Sequence, residues 1–321
     1  MKSILVAIVL LAAPFSIISD ALARQDSNPQ KAVLITGAST GIGRNMAETL
    51  AAEGYFVYAG ARKQADIDAL SAIDNIQGIR LDVTIQEEID AAVETVRKEG
   101  RGLYGLVNNA GVGVLGPMIE IDEDDMQFQM DVNVFGPYRV TKAFAPLIIE
   151  SKGRITTTGS ISGILSGTLF GPYSMSKHAI EAFTDSLARE MRKFDVHVSV
   201  IEPGNYNSAI IDTLRRRMVA RGQSAEGSLY EDEMNRMLAS MNSMEEQKEP
   251  DEVSSALLEF LSDANPKRRY MVVPEERQAE VTIRKILMET AQLNERQAYS
   301  YDRDELHAML DEAITELEQA E

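Results

Sequence analysis

Ala32-Val33-Leu34-Ile35-Thr36-Gly37-Ala38-Ser39-Thr40-Gly41-Ile42-Gly43 is the stretch that decides the fold. Four apolar residues in a row read as a short strand buried on both faces. The glycines that follow are spaced G-x-x-x-G-x-G. They read as a strand-to-helix loop whose backbone N–H groups approach a diphosphate at the positive end of the next helix. Arg44 to Glu53 supplies that helix, stopped at Gly54. A lone glycine pattern of this kind has a high false-positive rate and reads equally as a tight turn. Its place between a strand and a helix favours the ligand.

Outward from this stretch the same alternation continues. Strands are expected at Tyr55 to Ala59, Ile79 to Val83, Leu103 to Val107, Arg154 to Thr158, Val196 to Ile201 and Tyr270 to Val273. Helices are expected at Ile85 to Lys98, Met126 to Glu150 and Tyr173 to Lys193. Pro137 and Pro146 inside the second of these predict a break or a kink. Strands alternating with helices of this length mean an α/β fold, with a doubly wound, parallel seven-stranded sheet and right-handed crossovers. One domain over 31–275 accommodates it, with a helical lid at 205–245 and an acidic helical extension at 276–321. Residues 294–321 carry nine acids against Arg296 and Arg303. That acidity reads as a solvated face. Leu306, Met309, Leu310, Ile314 and Leu317 follow a capping-box pair, Asp302 and Glu305, and form an apolar face at helical spacing. This last helix is expected to pack on the domain or on a neighbouring subunit.

Tyr173-Ser174-Met175-Ser176-Lys177 carries the chemistry. A Tyr and a Lys four apart meet on one helix face. An ammonium beside a phenol favours the phenolate and is expected to lower the tyrosine pKa from about 10. Tyr173 then serves as a proton donor and acceptor near neutral pH. Y-x-x-x-K alone is usually an ordinary helix surface. Joined to Ser160 upstream and to the glycine loop, it points to acid–base work at an oxygen.

With these segments in place, the chain resembles the classical short-chain dehydrogenase/reductase family from about Lys31 to about Val273, broadly its retinol and hydroxysteroid branch. The spacing matches that family's T-G-x-x-x-G-x-G, not the T-G-x-x-G-x-x-G of the sugar-nucleotide epimerases. The resemblance implies a Rossmann domain and a nicotinamide cofactor, with Gly37, Ser39, Thr40, Gly41, Ile42 and Gly43 around its phosphates. Asp82 would accept from the adenine amine; otherwise it is an exposed strand-end carboxylate. Asn109, Ala110 and Gly111, in Asn108-Asn109-Ala110-Gly111, would border the adenine side. Pro203 and Gly204 would meet the carboxamide. Ser208 stands where the family usually has Thr, and the neighbouring Tyr206 is bulky for this loop.

The resemblance implies four catalytic residues: Tyr173 for the proton, Lys177 for the tyrosine and the ribose, Ser160 for the substrate oxygen, and Asn133 for a relay water. NAD binders usually place an acid on the ribose 2′-OH at the end of the second strand. Here Ala61 stands in that place and Arg62 follows. Arg pairs a 2′-phosphate in bidentate fashion. NADP(H) is therefore the expected cofactor, with NAD(H) as the alternative. The implied assembly is a homodimer or homotetramer.

The expected reaction is hydride transfer between NADP(H) and a lipophilic alcohol, ketone or aldehyde. Met234, Met237, Met241 and Met244 recur at helical spacing beside Leu238. They read either as a lid over an apolar ligand or as an ordinary core helix. Ile161, Leu165 and Phe170 are expected to line the pocket. Two other readings stand beside this one: a nucleotide-bound scaffold without turnover, and an isomerase or dehydratase that keeps its NAD.

Composition narrows the classes further. The 321 residues carry a formal charge of −18, which argues against a nucleic-acid partner. There is no cysteine, so disulfides, thiolate nucleophiles and zinc-thiolate sites are excluded. His178, His197 and His307 show no metal-ligand spacing, and no metal is expected. Residues 1–23 resemble a secretory signal, with Lys2, an apolar run from Ile4 to Ala13, and Ala21-Leu22-Ala23 before Arg24. The expectation is export, with an uncleaved membrane anchor as the alternative, and 24–30 as a linker.

Overall fold

The structure, a computed structural model, describes residues 30–242 and 247–320. The signal or anchor reading of residues 1–23, most of the linker and Met244 lie outside the described residues. Among those described, no helix is long and apolar enough to cross a membrane.

Lys31–Glu321 forms one compact unit. Its order is β1 (Ala32–Ile35), α1 (Gly41–Ala52), β2 (Phe56–Ala61), α2 (Gln64–Ser71), β3 (Ile76–Arg80), α3 (Gln86–Glu99) and β4 (Gly105–Asn108). Then come α4 (Glu123–Met130), α5 (Gly136–Glu150), β5 (Arg154–Thr158), α6 (Gly171–Met191) and β6 (His197–Pro203). The lid helices α7 (Ile210–Ala220) and α8 (Glu231–Asn242) precede α9 (Asp251–Ser262) and β7 (Arg269–Val272). α10 (Glu276–Asn294) and α11 (Arg303–Ala320) close the chain.

The seven strands run parallel in the order β3-β2-β1-β4-β5-β6-β7. The order reverses between β1 and β4, and a crevice opens there at the carboxyl ends of the strands. Side chains alternate across the sheet. Leu34 joins the apolar layer under α3, α5 and α6, with Ile89, Phe144 and Ile148. Val33 and Ile35 join the opposite layer, with Met46, Leu50, Leu257 and Phe260. That two-sided burial is why β1 reads as an unbroken apolar run.

In some details the structure differs from the expectation or refines it. β3 begins at Ile76, upstream of the expected Ile79 to Val83, because pairing with Val57–Ala61 sets its register. α2 has no counterpart in the sequence reading, since eight residues show little periodicity. The expected break near Pro137 takes the form of a π-helical turn over Asp131–Phe135; Pro137 has no N–H for the carbonyl one turn back. At Pro146 the helix runs on, held by buried Phe144, Leu147 and Ile148. In α11, among the described residues, only Leu306 is even half-buried, so the domain does not cover its apolar face and the neighbouring subunit stays as the expected partner.

Candidate active site

Three chain segments meet at the carboxyl edge of the sheet. The first is the glycine loop. Gly37 and Gly41 have φ of 66° and 56°, a region in which a Cβ is strained. A Cβ on Gly37 would also lie 2.8 Å from the Ala110 Cα, and one on Gly43 would overlap the Asn109 amide. These glycines let the loop close against Asn109-Ala110. The closure is hydrogen-bonded throughout. Thr36 Oγ1 accepts from the N–H groups of Asn109 (2.9 Å) and Ala110 (3.0 Å). Asn109 Nδ2 donates to the carbonyls of Thr36 (3.0 Å) and Gly37 (3.2 Å). The Thr40 side chain makes no cap bond to α1, and the first-turn residues Gly41, Ile42 and Gly43 line the crevice.

The second segment runs from β5 into a short 3-10 turn, Ile161–Gly163. Ser160 caps that turn, its Oγ accepting from the Ser162 N–H at 3.1 Å. The third is the start of α6, where Tyr173 and Lys177 share a face. The Ser160 hydroxyl lies near enough to the Tyr173 phenol to favour its ionised form. Lys177 Nζ lies 5.7 Å from the Tyr173 ring centroid and donates to the Thr158 carbonyl at 2.7 Å.

The electrostatics correct one expectation. Lys177 does not pull the Tyr173 phenol down: burial pushes it up to about 12, and the opposing pull comes from Ser160. The lysine itself is held down to about 8 by burial, with the Glu181 charge pulling it back up. An ammonium aimed at a backbone carbonyl contributes less to the phenol than one aimed at its oxygen.

One cavity of about 880 Å³ takes in every residue named above for the cofactor or the reaction, from Gly37 to Ser208, except Asn133. Asn133 sits in the π-helical turn, 3% exposed. It exchanges bonds with the Val112 backbone (2.9 and 3.0 Å) and donates to Ser176 Oγ at 3.1 Å. It braces the loop after β4 against α6 and touches neither Tyr173 nor Lys177 by a hydrogen bond. Gln129 does the same one turn earlier, through Val112 and Val114. Gln129 and Thr158 were not read from the sequence, because nothing local marks a residue that acts through a distant backbone.

At the far end, Arg62 Nη1 stands 3.8 Å from Asp82 Oδ2, and the arginine side chain is 63% exposed. Asp82 also accepts from Thr84 N (3.0 Å) and Oγ1 (2.7 Å), so it is a bonded carboxylate rather than a free one. Ser208 packs on Gly41. Tyr206 fits by burying its ring and donating its hydroxyl to Glu252 at 2.8 Å.

The lid closes the other side. α7 contributes Ile210, Ile211 and Leu214, and α8 contributes Met237 and Met241. Phe170 lines the cavity as expected; Ile161 and Leu165 do not. Ile161 is turned into the protein, 7% exposed. Met234 and Met241 also pack with Leu115, Leu169 and Met218 in a small core of the lid's own. The stripe is thus partly core and partly wall. A buried carboxylate, Asp125 of α4, holds the lid in place. It accepts from Arg217 (2.9 and 2.5 Å) and Gln223 (2.5 Å) and pairs with Arg221 at 3.2 Å. Among the described residues no cluster of His, Asp and Glu is arranged to hold a metal ion.

Known proteins share this arrangement. The short chain dehydrogenase family pattern matches residues 31–218. The mitochondrial D-beta-hydroxybutyrate dehydrogenase of Bos taurus is 39% identical over 189 residues, 56% of this chain and 55% of that one. The uncharacterized oxidoreductase YbbO of Escherichia coli K12 is 37% identical over 189 residues, 58% of this chain and 70% of that one. This chain thus spans little more than half the length of the first of these relatives. Among solved structures, a short-chain dehydrogenase from Streptomyces avermitilis superposes with a TM-score of 0.71 at 27% identity, over 83% of this chain and 95% of that one. A short chain dehydrogenase/reductase from Burkholderia phymatum, in complex with NAD, gives 0.70 at 24% identity over 85% and 98%. ElxO with NADP bound gives 0.62 at 22% over 76% and 97%. The family match covers the glycine loop, the Ser160 turn and the Tyr173–Lys177 helix together, and the chain belongs to the short-chain dehydrogenase family.

Proposed function

We propose that this chain transfers a hydride between NADP(H) and a lipophilic secondary alcohol, ketone or aldehyde, with Tyr173 as the proton donor and acceptor. The observation that carries the reading is the convergence of Ser160, Tyr173 and Lys177 at one end of a cavity whose other end is the glycine loop and Arg62. The cavity suits a dinucleotide. The first-turn N–H groups of α1 and the closed glycine turn would hold the diphosphate. Asp82 would take the adenine amine, Pro203-Gly204 the carboxamide, and Lys177 the ribose. When bound, the nicotinamide supplies or accepts the hydride.

The chain's own groups do the rest. Ser160 and Tyr173 present two hydroxyls to one substrate oxygen, which stabilises charge developing there. With its pKa at about 12, Tyr173 is a phenol at neutral pH. It is poised to donate a proton to a carbonyl oxygen as the hydride arrives. Arg62 with Ala61 before it supports the NADP(H) preference; similar folds bind NAD or NADP in the two neighbours described above. The lid residues Ile210, Ile211, Leu214 and Met237 support an apolar substrate. A panel of small, long-chain and polycyclic carbonyls with NADPH or NADH, followed by nicotinamide absorbance, tests the reading. Faster turnover of bulky carbonyls with NADPH is expected; no turnover with either nucleotide would overturn it.

A further inference from the structure

Behind the reacting groups lies a pair of carboxyls with no part in that reaction. Glu181 stands one turn beyond Lys177 on α6, on the face of Tyr173 and Lys177. Glu202 is the penultimate residue of β6, next to Pro203. Glu202 is 2% exposed and the Glu181 side chain 14%. The two carboxyls lie close enough for each charge to act on the other: the position a Gly159 Cβ would take is 3.2 Å from Glu181 Oε1 and 3.4 Å from the carbonyl oxygen of Ile201, the residue before Glu202. Among the described residues, no N–H or hydroxyl donor makes a hydrogen bond to either Glu181 oxygen or to Glu202 Oε1. The charged groups around the pair are Lys177 and Asp185 from α6 and Arg269 from β7. Arg269 Nε pairs with Glu181 Oε2 at 3.4 Å, and Asp185 is occupied by Arg268 and Arg269 at 2.9 and 2.8 Å. A Cβ on Gly163 would lie 2.8 Å from Glu181 Oε1, and one on Gly159 3.2 Å. Glu181 therefore lies directly beneath the turn that presents Ser160.

Two neighbouring carboxylates in a buried site cannot readily both ionise. One proton between them removes the repulsion and gives each a partner, which is how a donor-poor pair can stay buried. We propose that Glu181 and Glu202 share one proton, and that the single negative charge left on the pair, one turn from Lys177, keeps the Lys177 ammonium charged and in place beneath Tyr173. In this role both glutamates are positioning residues. Consistent with the geometry, burial and mutual repulsion raise Glu202 to about 8 and also raise Glu181, whose charge in turn raises Lys177. The functional consequence rests on the reading of Tyr173 and Lys177 as the reacting pair.

The test uses the full chain and two isosteric variants, Glu181→Gln and Glu202→Gln, with melting curves to confirm folding. Infrared spectra at pH 7 report a protonated buried carboxyl directly. The expected signal weakens as pH rises through about 8 and is absent in Glu202→Gln. NMR of ¹³C-lysine-labelled protein, assigned with Lys177→Arg, reads the Lys177 titration without any substrate. Glu181→Gln should lower its midpoint by at least half a pH unit, and Glu202→Gln should not lower it. The alkaline fall of carbonyl turnover with NADPH should move with that midpoint. A carboxyl signal unchanged in Glu202→Gln, or equal displacement of Lys177 by both variants, would overturn the proposal. A chain inactive on every carbonyl would fail the functional reading alone, because the infrared and NMR arms still decide the pair.

Discussion

Lys177 Nζ donates to the Thr158 carbonyl oxygen at 2.7 Å, tying the helix that carries Tyr173 to the last residue of β5. The bond fixes the ammonium beneath the tyrosine, and burial sets its pH response. Burial holds Lys177 down from 10.5 to about 8. A lysine with a lowered folded pKa is least welcome to the fold when charged. That penalty eases as pH rises from about 8 to 10.5, while its use as a cation fades as pH rises through about 8. NADPH binding, followed by nicotinamide fluorescence, should weaken at least threefold between pH 7 and pH 9.5. Lys177→Met should bind weakly with no such slope. A flat wild-type profile would remove the Lys177 charge from nucleotide binding.

Tyr173→Phe deletes only the phenolic oxygen and leaves the ring in its place on α6. Loss of a positioned general acid is expected to lower turnover by about 10²–10⁴-fold. NADPH affinity and melting temperature should stay close to wild type. Turnover within a few-fold of wild type would take the proton-transfer role away from Tyr173.

Arg62 reaches across the cavity rim to Asp82 and is largely exposed, so its guanidinium is free to turn to a 2′-phosphate. Hydrogen bonds to a charged group are worth about 1.5–3 kcal/mol. Arg62→Ala should raise KM for NADPH by about tenfold and leave KM for NADH nearly unchanged. Parallel changes in both would reject Arg62 as the selector.

Two methionines one turn apart on α8 should separate wall from core. Met237 lines the cavity and is half-buried, whereas Met234 is 5% exposed inside the lid's own core. Met237→Gln should weaken a polycyclic or long-chain carbonyl much more than a small ketone, with little change in melting temperature. Met234→Ala should destabilise by about 2–5 kcal/mol, as buried Met truncations do. Equal stability losses in both variants would make the stripe simply core.

The sequence by itself determined whatever is local. Ala32 to Ile35 had to be a doubly buried strand, because four apolar residues in a row leave no face for water. The spacing of Gly37, Gly41 and Gly43 had to be a close turn, because only glycine gives backbone that near an approach. Tyr173 and Lys177 had to share a face, because helical geometry puts residues four apart together. With Ser160, these residues were enough to assign the family.

What only the tertiary structure decided is whatever depends on groups far apart in the chain. The register of β3 came from its partner β2, not from its own residues. Asn133 was expected to hold a relay water; its bonds to Val112 and Ser176, which the π-helical turn brings within reach, were not legible in the sequence. The direction of the Tyr173 shift turned on burial and on where the Lys177 ammonium points. Glu181 on α6 and Glu202 on β6 become a pair only through the fold, since a side chain's charge state follows its solvation and neighbours, and both belong to the folded chain.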